Sequence, residues 1–231
     1  LMYTENRVVT ERELNDMELQ GKVAVITGGS GGIGLAMAKA FLAEGAKTIV
    51  LADLDGDLVA AAAEQLGCEG MVCDVTEEYQ IQGLVDKTIE KFGQIDLFCS
   101  NAGAGGEGTL TDATNDVWQR QWELHVMSHL YAARAVLPGM LERGDGYLLN
   151  TASAAGLLAA LGSGPYTVTK GAAVKLAEFI SINHGDEGIK VSVLCPQGVN
   201  TAMAPRSLGD GQTDGIIEPE VLAQTVVECL R

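Results

Sequence analysis

Short apolar runs alternate along the chain with longer segments whose apolar positions recur three and four residues apart. Residues 22–27 (KVAVIT) form the first run, closed on either side by Gly21 and Gly28. An unbroken run of this kind predicts a strand buried on both faces. Residues 35–44 follow with Leu35, Ala38, Phe41 and Leu42 at helical spacing, and Gly45 marks the end. The alternation continues with strands predicted at 48–53 (TIVLAD), 70–74 (GMVCD), 95–100 (IDLFCS), 146–151 (GYLLNT) and 189–195 (IKVSVLC). Helices are predicted at 58–66, 78–92, 115–143, 167–184 and 220–230, the long one with a bend expected at Pro138.

Strands and helices in strict alternation, joined by short connections, predict a parallel sheet covered by helices on both faces. The fold class is α/β, a single doubly wound domain of Rossmann type. Its expected limits are residues 21–231, after an N-terminal extension at 1–20. The segment 203–217, rich in Gly, Asp and Pro, is the one long irregular stretch after residue 151 and is expected to be a substrate loop or lid.

Composition narrows the partners. Lysine and arginine number 15 against 31 acids, a formal charge of −16. Such a chain repels phosphate backbones and anionic lipid, which argues against nucleic acid and membrane surfaces. No apolar run approaches the roughly 18 residues of a membrane span. The five cysteines have no CxxC or zinc-type spacing, and three of them (73, 99 and 195) lie in or beside strand runs. They read as reduced, buried hydrophobes. With a polar N-terminal stretch, this leads to the expectation of a cytoplasmic protein without a catalytic metal. The 29 glycines have no collagen period; in an ordered chain they point to tight turns and close backbone approach.

The densest glycines join the first strand to the first helix: Thr27, Gly28, Gly29, Ser30, Gly31, Gly32, Ile33 and Gly34. A turn of this kind lets backbone approach a pyrophosphate, with free N–H groups of a helix start behind it. Asp53 closes the second strand, 19 residues past Gly34, near the offset of a ribose-binding carboxylate. A carboxylate there accepts from ribose hydroxyls and repels a 2′-phosphate. No Lys or Arg in residues 28–34 or 53–57 offsets that charge. NAD is therefore expected over NADP; the competing reading is that Asp53 merely caps the next helix. Asp74 with Val75, and Asn101, Ala102 and Gly103, close the third and fourth strands at the same edge.

Tyr166 and Lys170 stand four apart, one helical turn, and Ser153 follows the fifth strand. An ammonium beside a phenol favours the phenolate, and a serine hydroxyl can hold a substrate oxygen. A Tyr–Lys pair beside a dinucleotide points to acid–base chemistry on an alcohol or ketone. Ser153 lacks His and Asp partners at nucleophile-elbow spacing, which disfavours hydrolysis.

Together these residues resemble the short-chain dehydrogenase/reductases, in their ordinary rather than extended subgroup. The resemblance runs from about residue 22 to the end. It rests on TGGSGGIG, Asp53, Cys73-Asp74-Val75, Asn101-Ala102-Gly103, Ser153, the YTVTK segment and the stretch Pro196-Gln197-Gly198-Val199-Asn200-Thr201. It implies that Tyr166 is the general acid/base, that Lys170 supports it and holds the nicotinamide ribose, and that Ser153 orients the substrate oxygen. It also implies that Pro196, Val199 and Thr201 border the nicotinamide.

Two departures stand out. His125, seven residues after Trp118, occupies a position where the family usually carries an Asn. It either joins the water relay near the lysine as a catalytic residue or is an inert packing replacement. Gln197 stands where a Gly commonly follows the Pro. The expected substrate pocket is lined by Ser153, Ala155, Gln197 and Met203, together with the segments 104–107, 155–161 and 203–208. Its walls are mostly small or apolar, apart from Glu107 and Arg206.

The function expected is NAD-dependent interconversion of a small-molecule secondary alcohol and a ketone. Alternatives are a non-catalytic NAD-binding sensor or scaffold, and an NADPH-dependent 3-oxoacyl-type reductase. The resemblance further implies a homodimer or homotetramer. It also implies a seventh, C-terminal strand that the chain to Arg231 does not provide.

Overall fold

The computed structural model describes residues 17–106, 108–160, 162–203 and 216–231. Six parallel strands form its main sheet: β1 (Val23–Thr27), β2 (Thr48–Asp53), β3 (Glu69–Val72), β4 (Leu97–Ser100), β5 (Gly146–Thr151) and β6 (Ile189–Leu194). Their order is β3-β2-β1-β4-β5-β6, so the direction of winding reverses between β1 and β4. The carboxyl ends of those two strands open the crevice in which doubly wound sheets bind ligands. The chain adopts the expected single-domain α/β Rossmann fold.

Two apolar layers explain the unbroken runs in the sequence. Ala24 and Ile26 of β1, Leu97 and Cys99 of β4, and Tyr147 and Leu149 of β5 enter the layer on one face. Val25, Phe98 and Leu148 enter the other. Each central strand is thus apolar along most of its length, up to its polar carboxyl end, because alternate residues enter different cores.

The helices are α1 (Gly32–Ala43), α2 (Gly56–Leu66), α3 (Glu78–Phe92), α4 (Asn115–Trp122), α5 (Ser128–Arg143), α6 (Gly164–His184) and α7 (Pro219–Leu230). Helix α1 starts at Gly32, inside the glycine turn, three residues before the apolar period becomes visible. Strand β3 stops at Val72, short of the expected Asp74. The Asp74 side chain accepts from the Thr76 N–H at 2.9 Å and the Thr76 hydroxyl at 2.7 Å, a local turn that ends the ladder.

The long helix expected at 115–143 runs on through Pro138, which lies inside α5. It departs from α geometry earlier, in a π turn at Glu123–Met127 that separates α4 from α5. Pro138 is exposed, so the Arg134 carbonyl left without its N–H partner lies on the solvent side.

The segment before β1 packs down. Met17 and Leu19 are buried, and the Met17 N–H donates to the Leu230 carbonyl at 2.6 Å. A short parallel ribbon of β7 (Gly198–Val199) and β8 (Ile216–Ile217) closes the base of the expected substrate loop. Residues 204–215 of that loop lie outside the described residues. No described helix is long and apolar enough to cross a membrane.

Candidate active site

The glycine turn is shaped by contacts that leave no room for side chains, except at one point. Gly28 has φ +63°, and a Cβ there would stand 2.9 Å from the Ala102 Cα. A Cβ on Gly34 would stand 2.2 Å from the Gly28 carbonyl oxygen. A Cβ on Gly31 would meet nothing within 4 Å. The start of α1 has no side-chain cap and no acidic residue in its first turn. Its leading N–H groups are therefore available to an anion.

Asp53 sits at the end of β2 against this turn. Its Oδ2 accepts from the Ser30 N–H at 3.1 Å and the Ser30 hydroxyl at 2.6 Å, and its Oδ1 accepts from the Leu54 N–H at 2.8 Å. Those bonds fix the carboxylate in orientation. Asp55, not Asp53, caps α2, accepting from the Asp57 and Leu58 N–H groups.

Asn101 ties three strand ends together. Its amide donates to the Thr27 carbonyl at 3.0 Å, and its Oδ1 accepts from the Thr151 hydroxyl at 3.1 Å. Thr27 Oγ1 in turn accepts from the N–H groups of Asn101 and Ala102. Asp74 and Val75 lie on the same edge, with Val75 buried. Thr201 reaches the opposite side of the turn: its Cγ2 lies 3.1 Å from where a Gly32 Cβ would stand.

Ser153 follows β5 and is held by a continuation of the ladder. The Ala152 N–H donates to the Leu194 carbonyl at 2.8 Å, and the Ala154 N–H to the Pro196 carbonyl at 2.9 Å. Ser153 Oγ accepts from the Ala155 N–H at 3.2 Å, which leaves its own proton free to donate. Tyr166, half-buried in the first turn of α6, faces Lys170. The Lys170 Nζ is 5.7 Å from the centre of the Tyr166 ring and donates to the Thr151 carbonyl at 2.9 Å. Lys170 is 3% exposed, and burial lowers its pKa from 10.5 to about 8.

His125 lies in the π turn, fully buried, edge-on to the Tyr166 ring with centroids 5.3 Å apart. Its Nε2 accepts from the Ala104 N–H at 3.3 Å, and its Nδ1 lies 3.1 Å from Thr169 Oγ1. Burial, with the Lys170 charge adding to it, lowers the His125 pKa to about 3. The imidazole is therefore neutral near pH 7, with both ring nitrogens engaged. A Cβ on Gly103 would lie 3.4 Å from Lys170 Nζ and 3.5 Å from His125 Nε2, so Gly103 forms the floor between them.

Of the expected pocket residues, Ala155 touches Ser153 through its N–H. Ala155 is half-buried, Gln197 is exposed and Met203 is 55% exposed. Glu107, Leu161 and Arg206 lie outside the described residues. Thr151 and Thr169 are structural partners of the site that the sequence motifs do not single out. Thr151 carries a detectable signal, since it is the last residue of a strand whose following residues include Ser153.

A family model described as short chain dehydrogenase matches residues 22–210. The chain belongs to the short-chain dehydrogenase family. It is 34% identical over 190 residues to 3beta-hydroxysteroid dehydrogenase 2 of Eggerthella lenta, covering 79% of this chain and 73% of that protein. It is 35% identical over 216 residues to 2-(S)-hydroxypropyl-CoM dehydrogenase 3 of Xanthobacter autotrophicus, covering 91% and 82%. It also resembles the crystal structure of a short-chain dehydrogenase/reductase from Burkholderia phymatum in complex with NAD. That match has 32% identity and a TM-score of 0.77, covering 93% of this chain and 81% of the other. The chain is thus an oxidoreductase of this family.

Proposed function

We propose that the chain is an NAD-dependent dehydrogenase or ketoreductase that interconverts a secondary alcohol and its ketone. The observation that carries this reading is the gathering of Ser153, Tyr166 and Lys170 at one sheet edge, beside a glycine turn whose acidic neighbour Asp53 is already fixed. The turn suits a dinucleotide: Gly31 leaves open space where a pyrophosphate would approach, and the α1 N–H groups face it. The engaged Asp53 carboxylate favours ribose hydroxyls over a 2′-phosphate, which selects NAD. The NAD complex of the Burkholderia phymatum relative supports the same choice. Two relatives bear names of dehydrogenases of hydroxy compounds, which supports an alcohol substrate.

When bound, the nicotinamide supplies hydride acceptance or donation. The chain supplies orientation and proton transfer. Ser153 donates its free hydroxyl proton to the substrate oxygen. Tyr166 takes the hydroxyl proton in oxidation and returns it in reduction. Lys170 sets its positive charge beside the phenol and stabilises negative charge developing on its oxygen. Asp53, Asp74 and Val75 border the adenosine half of the cofactor, and Asn101, Ala102 and Gly103 leave room for its flat parts. Pro196, Val199 and Thr201 border the nicotinamide. His125 supports the centre through the Tyr166 ring and its two hydrogen bonds.

NADH fluorescence with a panel of secondary alcohols tests the reading, using NAD and NADP in parallel. Turnover with NAD is expected. Tyr166→Phe should lose roughly 10²-fold or more in kcat while still binding NADH. Retained turnover in Tyr166→Phe would overturn the mechanism, and NADH binding with no turnover across the panel would favour a non-catalytic NAD-binding role.

A further inference from the structure

Among the described residues, two buried side chains carry polar atoms without a hydrogen-bond partner. One is His129 in the first turn of α5, through both ring nitrogens; the other is Gln121 near the end of α4, through its carbonyl oxygen. The contacts of Gln121 lead to Tyr166. It is 7% exposed, and its Nε2 donates to the Gly105 carbonyl at 3.2 Å. A Cβ on Gly106 would stand 2.6 Å from Gln121 Oε1 and 3.2 Å from the Tyr166 Cβ. The amide and the tyrosine therefore occupy the space that a side chain at 106 would need.

Holds of this kind follow one another along the loop after β4. Gly103 passes Lys170 Nζ, and the Ala104 N–H donates to His125 Nε2. The Gly105 carbonyl accepts from Gln121, the Gly106 carbonyl from the Ser163 hydroxyl, and the Gly108 carbonyl from the Gly164 N–H at 2.9 Å. Gln121 and His125 stand four residues apart, and Ser163 lies three residues before Tyr166. The loop is thus tied on one side to the helix of Gln121 and His125, and on the other to the helix start that carries Tyr166. A glycine-rich segment has little stiffness of its own, so these donors set its path.

Stability alone does not call for an amide at 121. A buried carbonyl oxygen without a donor has lost its water and gained nothing in return. An apolar side chain of the same length would fill the space without that cost, and the exposed Gly105 could turn its carbonyl to water. What the amide adds is a directed hold on the loop where it passes Tyr166.

We propose that Gln121 is a positioning residue for the alcohol: it holds residues 105–106 against Tyr166 and so fixes the wall on which the carbon groups of the substrate are seated. The proposal rests on the reading of Ser153, Tyr166 and Lys170 as the reacting centre. The hydrogen bond of Gln121 goes to the loop, not to the glycine turn, Asp53 or Lys170, so cofactor binding and proton transfer are left to other groups.

Gln121→Met keeps the length of the side chain and removes the hold. Hydrogen exchange on the NADH-bound protein reads the loop with or without turnover. Exchange at residues 104–108 should rise about fivefold in the variant, the worth of one net hydrogen bond, and equal exchange in both proteins overturns the hold. With an alcohol that turns over, KM for the alcohol should rise about fivefold, while kcat stays within about twofold and NADH affinity is unchanged. The thermal midpoint should not fall, since the unpaired oxygen is gone. Gln121→Asn, which keeps the donor on a shorter stem, should recover part of the KM. An unchanged KM in Gln121→Met overturns the positioning role, and so does a loss shared equally by KM, kcat and NADH affinity. Should Gln121→Met fail to fold, Ser163→Ala decides, because it frees the Gly106 carbonyl from the other side: a raised KM supports the proposal and an unchanged one overturns it. Absence of turnover in the wild type overturns the dehydrogenase reading and the role toward the alcohol with it, and leaves the hold on the loop to be decided by exchange.

Discussion

His125 Nδ1 lies 3.1 Å from Thr169 Oγ1, and the Thr169 hydroxyl proton goes on to the Pro165 carbonyl at 2.9 Å. The direction of this chain fixes the tautomer. Ala104 donates its N–H to Nε2, so Nε2 is bare and Nδ1 carries the proton. One imidazole thus joins the loop after β4, the π turn and the first turns of α6, which carry Tyr166 and Lys170. Replacing it with Leu removes the acceptor of the part-buried Ala104 N–H and the partner of the buried Thr169 hydroxyl. His125→Leu is expected to lose about 1–3 kcal/mol of stability, read from urea denaturation. His125→Asn, shorter but still able to accept from Ala104, should lose less. A loss below about 0.5 kcal/mol in the Leu variant would show that the bonds carry no net stability.

Both buried histidines make the protein acid-labile. The pKa of each falls to about 3 in the folded state, from 6.5 as the ordinary value. Between those values the unfolded chain binds more protons than the folded one, so stability rises with pH across the window and is lost as pH falls from about 6.5 toward 3. The loss is about 2 kcal/mol per histidine between pH 7 and pH 5. Carboxylates contribute at the lower end, so the comparison is with a variant. His129→Asn should lose roughly half of the pH dependence seen in this interval by urea denaturation. An equal slope in both proteins would contradict neutral burial of His129.

Much of this architecture is written plainly in the apolar pattern. Strands β1, β2, β4 and β5 are legible because both of their faces are buried, which leaves runs such as VAVIT and TIVLAD with few polar breaks. The glycine turn and the Ser–Tyr–Lys set are legible because their chemistry fixes residue type and spacing. The π turn is not. It depends on where one imidazole finds Ala104 and Thr169 across three elements, and no local period encodes that. His129 is hidden for the same reason. On an apolar helix face a histidine reads as interface packing, and only burial reveals that its nitrogens are unpaired.

Asp53 should govern the choice of nicotinamide. Its charge lies against the glycine turn, with no lysine or arginine in residues 28–34 or 53–57 to offset it, and in the proposed reading it meets the adenosine ribose. Two Ser30 bonds hold it there. Asp53→Asn removes the charge and keeps the shape. The variant is expected to raise kcat/KM for NADP relative to NAD by roughly 10- to 100-fold, about 1–3 kcal/mol. Its thermal midpoint should hardly move, because the half-exposed Asp53 lies outside both apolar layers. Steady-state kinetics with both cofactors measures the ratio. An unchanged ratio would show that something other than this carboxylate sets the preference.

The glycine turn offers the sharpest separation of folding from binding. At Gly34 a methyl group would sit 2.2 Å from the Gly28 carbonyl oxygen and 2.9 Å from Asn101 Nδ2. The first of those atoms is backbone and the second holds three strand ends, so neither can yield cheaply. Gly34→Ala is therefore expected to lose about 3 kcal/mol or more, with a lowered thermal midpoint even without cofactor. Gly31 is a different case. It has φ −160°, an extended backbone open to any residue, and its added methyl meets nothing within 4 Å. Gly31→Ala should leave apo stability within about 0.5 kcal/mol of wild type. Its methyl would nevertheless stand in the open space before α1 where a pyrophosphate approaches. NADH affinity, measured by fluorescence titration, should fall by about tenfold or more, equivalent to roughly 1.4 kcal/mol. Wild-type NADH binding in Gly31→Ala would move the phosphate site away from this turn, and wild-type stability in Gly34→Ala would show that the turn can relax around an added methyl.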